Sequence, residues 1–166
     1  MTNGIDIELV DAFDPNDERE AFELADAQFG RYRPPTHGYL MLDRSPQQAT
    51  WQPITERIGA AAATAQPRAL LPTFTAPFPD RLADLDHWYS THHVPEVVAV
   101  EGFSAGQRFA HRDPRAEHRR LALYELDADD LGAALDRLIG ALPSMVQTDA
   151  LDGSSIASWL YVAVER

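Results

Sequence analysis

The run Asp84-Leu85-Asp86-His87-Trp88-Tyr89-Ser90-Thr91-His92-His93-Val94-Pro95-Glu96 continues as Val97-Val98-Ala99-Val100-Glu101-Gly102-Phe103 and sets out a helix and the strand that follows it. At a helical pitch of roughly 100° per residue, Leu82, Leu85, Trp88, Tyr89, His92 and His93 share an arc of about 140°. Asp84, His87, Ser90 and Thr91 lie opposite. His92 sits near the middle of the apolar arc, and His93 at its edge, on the side of Asp86. Pro95 has no N–H and disfavours helix at Val94, which predicts a kink or restart there. Gly102 permits the turn into a strand. A histidine on an apolar face is ordinarily a satisfied core residue. Two adjacent imidazoles beside Trp88 and Tyr89 point equally to a pocket.

Outward from this stretch, residues 68–75, 103–112, 120–126 and 156–164 read as strands. In the second of these, Phe103, Ala105, Gln107, Phe109 and His111 alternate against Gly106, Arg108 and Ala110. A helix over 127–142 carries Leu131, Leu135, Leu138 and Leu142 as its buried stripe, with Asp127 as cap and Asp130 as the capping-box acid. The order from residue 68 is strand, helix, strand, strand, helix, strand. This predicts an α+β, ferredoxin-like βαββαβ domain over 68–166, its four-stranded antiparallel sheet covered by helices on one face. The uncovered face also carries apolar residues, so a second sheet should pack on it.

Residues 1–67 offer that second unit as a degenerate ferredoxin-like repeat, or stand as an N-terminal extension. Residues 5–13 and 37–43 read as strands, and 18–29 fits either a helix or a strand. Ser45-Pro46 looks like a helix start, with the helix running to about residue 64 although Pro53 weakens it. Gln28-Phe29-Gly30-Arg31-Tyr32-Arg33 echoes residues 107–112, Gly38–Asp43 echoes 120–125, and Ile58-Gly59 echoes Ile139-Gly140. Two fused repeats would make a pseudo-dimeric monomer; otherwise the barrel would close between the subunits of a homodimer.

The chain has 166 residues, a formal net charge of −12 and no cysteine. Its acidic field repels nucleic acid and anionic membrane surfaces. The missing cysteines remove disulfides, thiol nucleophiles and Cys-based metal sites. The N-terminus lacks the pattern of a signal peptide, and no apolar run approaches the roughly 20 residues of a membrane span. These features predict a cytoplasmic protein whose partner is a small-molecule substrate, with neither nucleic acid nor membrane. His87 and His92 are off the i, i+4 spacing of paired metal ligands, and no phosphate-binding loop, dinucleotide fingerprint or nucleophile elbow is present. No metal and no organic cofactor is expected.

Trp88-Tyr89-Ser90-Thr91-His92-His93-Val94-Pro95-Glu96, then Gly102-Phe103, Arg108-Phe109 and Leu121-Ala122-Leu123-Tyr124-Glu125-Leu126, are similar to the pattern of the EthD-like family of the dimeric α/β-barrel superfamily. The resemblance covers residues 68–166. His93 falls on the family's histidine, whereas His92 has no counterpart role. The resemblance implies two sheets closing into a barrel, with pockets between sheet and helices. It also implies cofactor-free chemistry on small aromatic or polyketide-like molecules, by cyclases, dehydratases, decarboxylases or oxygenases.

Imidazole is the side chain best matched to proton transfer near neutral pH. The expected function is a cofactor-independent lyase or cyclase, with His93 as general acid/base in a barrel pocket. Tyr89 would orient it or donate to an enolate oxygen, and His92 would be the complementary acid. Trp88, Phe74, Phe109, Tyr124 and Trp159 would form an aromatic wall, and Arg108 would pair with a carboxylate or phenolate. His111 and His118 read as solvated. The alternatives are a non-catalytic binder of small hydrophobic molecules, an assembly protein, or a cofactor-free monooxygenase.

Overall fold

A computed structural model of the chain describes residues 3–28, 37–59 and 66–165. Nine strands follow one another in these residues: β1 (Asp6–Val10), β2 (Glu20–Gln28), β3 (Tyr39–Asp43), β4 (Trp51–Pro53), β5 (Ile58–Gly59), β6 (Ala69–Thr75), β7 (Phe103–His111), β8 (Arg120–Leu126) and β9 (Ala157–Ala163). Between β6 and β7 lie α1 (Leu82–Trp88), a π-helical turn over Tyr89–His93, and α2 (Val94–Val98). Helix α3 (Leu131–Ala141) lies between β8 and β9.

The expected ferredoxin-like α+β fold is not what forms. The strands join one antiparallel sheet in the order β1-β3-β2-β9-β6-β8-β7-β4, with β5 also on β7. The result is a nearly closed eight-stranded barrel. A ferredoxin-like sheet would end at β9 and β7. Here β2 adds to β9, while β4 and β5 add to the far edge of β7. The barrel closes within the chain, where Ile5 and Trp51 exchange backbone bonds of 2.9 and 3.1 Å and the Thr50 N–H donates to Asp6 Oδ1 at 2.6 Å. Closure removes the exposed edges that an open sheet must protect.

The repeat fails with the fold. The helix expected to start at Ser45 is absent from 45–59, where β4 and β5 lie instead; residues 60–64 of that expectation fall outside the described residues, as do 29–33 of the Gln28–Arg33 echo. Pro53 cannot donate inside a helix, and Gly59 holds φ of +108°. Ile58-Gly59 is therefore a strand, whereas its supposed counterpart Ile139-Gly140 lies in α3. The ambiguous 18–29 segment resolves as β2, as far as it is described.

Alternation along the strands creates two cores. Inside the barrel, Phe22, Leu40, Leu42, Leu70, Phe109, Leu121, Leu123 and Tyr161 pack together. On the outer face of β6–β9, Ala69, Leu71, Ala122, Tyr124, Leu126 and Leu160 pack against Leu85, Tyr89, Val94 and Val97 of the first helical segment and Ala134, Leu135 and Leu138 of α3. An irregularity between Phe103 and Ala105 turns Phe103 to the helix side, against the simple alternation. Asp130, not Asp127, caps α3, accepting from the Ala133 N–H at 2.9 Å.

Candidate functional site

The helix does not break at Pro95. The turn before it widens instead, and the Val94 N–H bonds to Tyr89 O, five residues back. Such π turns are rare and frequently mark functional positions. The widening shifts the phase of the side chains and exchanges the expected positions of the two histidines. His93 turns inward, its ring 5.3 Å from that of Tyr89 and stacked at 4.4 Å on Trp88. His92 turns out toward His87, 6.4 Å between rings, at a groove of about 560 Å³ on the surface. Trp88 belongs to both places, and its Nε1–H donates to Val146 O at 2.9 Å.

Beneath His93 lies Arg108, fully buried, with its guanidinium 4.4 Å from the centre of the Tyr89 ring. Its Nη1 donates to Asp86 Oδ1 at 2.7 Å. Arg120 grips the same carboxylate, from Nε to Oδ1 at 2.9 Å and from Nη2 to Oδ2 at 3.0 Å. Burial disfavours the Asp86 carboxylate, but the hydrogen bonds from Arg120 and Arg108 prevail and hold its pKa below the ordinary value.

Four buried polar atoms here have no hydrogen-bond partner among the described residues: Arg108 Nε, Arg108 Nη2, His93 Nδ1 and Tyr124 Oη. Each such atom carries a desolvation cost of about 1–3 kcal/mol when left unpaired. Burial, and then the charge of Arg108, push the His93 pKa down from 6.5 to about 4, so the ring is neutral near pH 7. Burial, followed by repulsion from Tyr89, raises that of Tyr124 well above 10 and keeps it a phenol. The site thus combines a neutral imidazole, two tyrosines and a buried guanidinium whose Nε and Nη2 have no hydrogen-bond partner among the described residues. The Nε/Nη2 edge is the one that matches the two oxygens of a carboxylate.

The expected site residues do not form one pocket. His93, Tyr89, Trp88, Arg108 and Tyr124 come together between helix and sheet, and His92 lies at their outer edge. Phe74, Phe109 and Trp159 lie on the opposite face of the sheet, inside the barrel. The sheet separates them from His93, so they do not wall it. His93, the expected general acid/base, correspondingly lies outside the barrel and not in its interior. Arg108, expected to pair with a substrate carboxylate or phenolate, makes a buried ion pair with Asp86. Sequence reasoning missed Asp86 as the partner of Arg108, and Arg120 as the second arginine on that carboxylate, although Arg108 and Arg120 share the strand face that meets the helix. It also missed the barrel mouth, where His111 and His118 join Trp51 and Phe74 around a cavity of about 580 Å³ instead of standing in solvent.

No helix among the described residues is long and apolar enough to cross a membrane. Comparison of the chain with protein-family models, curated proteins and solved structures found no match.

Proposed function

We propose that the protein is a cofactor-independent lyase or cyclase type of enzyme that moves a proton on a small aromatic or polyketide-like molecule. The observation that carries this reading is the cluster of buried atoms on Arg108, His93 and Tyr124 that have no hydrogen-bond partner among the described residues. The substrate carboxylate or enolate oxygen would lie along the Nε/Nη2 edge of Arg108. His93 would take a proton from the carbon next to the carbonyl, and Tyr89 or Tyr124 would donate to the oxygen that gains charge. An imidazole with a pKa of about 4 is a weak base when the site is empty. An anion on Arg108 would cancel the field that contributes to this depression, so binding and basicity rise together. The remainder of the substrate would extend past Trp88 into the groove by His87 and His92. The likeness of residues 88–96 to the EthD-like pattern, with His93 on the family histidine, supports the same assignment. A cytoplasmic location belongs to this reading.

Phenylpyruvate supplies the required ring, carboxylate and acidic C–H. The expected result is deuterium incorporation at its methylene carbon in D2O, followed by NMR, at a rate above the buffer background. His93→Gln and His93→Ala should remove the excess rate while circular dichroism stays unchanged. Absence of any acceleration, or full rate in His93→Gln, would overturn the proposal.

A further inference from the structure

We propose that Trp88 is a gate over His93 and that the strap from Met145 to Asp149 is the latch that holds it shut, a device that rests on the proton-transfer reading only for the ligand it admits. The indole lies nearly flat on the imidazole, 4.4 Å between ring centres and 17° between planes. It therefore occupies a face of His93 on which a planar ligand would stack. Tyr89 stands edge-on to both rings, 5.3 Å from His93 and 4.7 Å from Trp88, so the three form one block. The block is fastened from outside. Trp88 Nε1–H donates to Val146 O at 2.9 Å. The Val146 N–H points back at Glu96, 3.4 and 3.3 Å from its two carboxylate oxygens. Val146 thus spans the π turn, tied to α1 on one side and to α2 on the other.

The strap is anchored at its ends and exposed between them. The short 3-10 turn Leu142–Ser144 after α3 leads into it, and the Met145 N–H donates to Leu142 O at 3.2 Å. At the far end Ala150 is buried, and its carbonyl accepts the Phe78 N–H at 2.9 Å. Between these anchors Val146, Gln147 and Asp149 are exposed. Asp149 pairs with Arg81 at 2.6 Å, an exposed contact that holds the strap weakly. The groove of about 560 Å³ already separates residues 146–149 from His87 and His92. An exposed segment of this kind opens at lower cost than the buried sheet beneath it. Once the bond to Val146 O breaks, the indole can swing into the groove and uncover His93 while the strands and helices stay in place. A flat ring can then take its place on the imidazole, and closure of the strap behind it would shut out water.

The test labels the whole chain with diethyl pyrocarbonate, which acylates neutral imidazole, and follows each histidine by fragmentation mass spectrometry. Near neutral pH His93 carries no proton that would hide it from the reagent. In the wild type it should react at least about ten-fold more slowly than His92, as expected behind a closed gate. Trp88→Phe keeps a ring on the imidazole but loses the donor to Val146 O. It should raise the His93 rate about two- to ten-fold, the weight of one hydrogen bond. Trp88→Ala removes the gate and should raise the rate further, to within about three-fold of His92. Glu96→Ala cuts the second tie, leaves the rings in place and should raise the rate about two-fold or more. In every variant His111, which packs on Trp51 across the sheet, should keep its own rate within about two-fold. Equal rates at His93 and His92 in the wild type would overturn the proposal. So would a His93 rate left unchanged in Trp88→Ala or, should that variant not fold, in Glu96→Ala. A rise at His111 parallel to that at His93 would mean general loosening and would overturn it as well. Labelling needs no turnover, so failure of the gate leaves the proton-transfer reading standing, and failure of that reading in the deuterium-exchange test leaves the gate standing.

Discussion

Two carboxylates on the two faces of one sheet are each held by two arginines, and they end in opposite states. Inside the barrel, Glu125 is buried, with Arg44 Nη2 at 2.7 Å and Arg57 also paired to it. Arg44 turns its Nε to Glu20, so the interior charges answer one another. On the helix side, Asp86 holds Arg108 and Arg120, but Arg108 Nε and Nη2 have no hydrogen-bond partner among the described residues. A buried ion pair offsets its desolvation only if its remaining donors and acceptors are satisfied. The interior network meets that condition more fully than the helix-side one. The difference is the reason the helix-side cluster, and not the interior one, carries the proposed ligand site.

The largest effect expected from this comparison comes from cutting the helix-side pair. Asp86→Ala leaves Arg108 buried and uncompensated, and should cost about 3–5 kcal/mol of stability in urea unfolding. Leu121→Met, a swap of similar volume in the barrel core, should cost less than about 1.5 kcal/mol. Comparable losses would mean that the Asp86 pair is not what holds Arg108 in place.

Next comes pH. The His93 pKa falls from 6.5 in the unfolded chain to about 4 in the fold. Between these values the unfolded state binds more protons, so stability falls as pH drops through this window and the full contribution is present above pH 6.5. The span corresponds to up to about 3 kcal/mol. His93→Gln should flatten the difference in stability between pH 7 and pH 4.5 by most of that amount. An unchanged pH profile in His93→Gln would place the imidazole in solvent and remove the contrast with the exterior His87 and His92.

A smaller effect tests how closely the helix approaches the sheet. A Cβ at Gly106 would come within 3.0 Å of Tyr124 Cδ1 and Val98 Cγ2 and 3.1 Å of Val94 Cγ1. Gly106→Ala should cost about 1–3 kcal/mol by overpacking and should disturb the Tyr124 side of the site. A neutral result would show that the helix can lift from the strand without loss.

The strands and helices of the second half were legible because they are long and strongly patterned: Leu70 and Leu71, or Leu121 and Ala122, announce two buried faces in sequence. The barrel was not. Its closure depends on Trp51-Gln52-Pro53 and Ile58-Gly59, which are too short to show a period. The bridge between Ile5 and Trp51 is a long-range pairing that no local pattern encodes. A regular helical wheel also placed His92 deeper than His93, because nothing in the composition announces a π turn ahead of Pro95. The aromatic residues expected to form one wall divide between the two faces of the sheet, because residue type alone does not say which face they join. Phe109 and Arg108 are neighbours in sequence and belong to different cores.

The cap of α3 gives the smallest effect and decides between two neighbouring acids. The sequence pattern favoured Asp127 as the cap, yet Asp130 is the residue whose carboxylate accepts the Ala133 N–H. Asp127 reaches out to Arg68, 3.3 Å from its Nε, at an exposed position. Asp130→Ala should therefore cost about 1 kcal/mol, the usual loss for an N-cap. Asp127→Ala should stay within about 0.5 kcal/mol, as expected of an exposed pair. Helix α3 covers the outer core through Ala134, Leu135 and Leu138, so fraying its first turn loosens the helix side of the sheet while the barrel interior keeps its packing. Hydrogen exchange would separate the two. In Asp130→Ala, amides at the start of α3 should lose protection while those of β1 and β3, on the far side of the barrel, keep theirs. Equal loss on both sides would mean that the two cores unfold as one unit, and that the contrast between them is chemical without being mechanical.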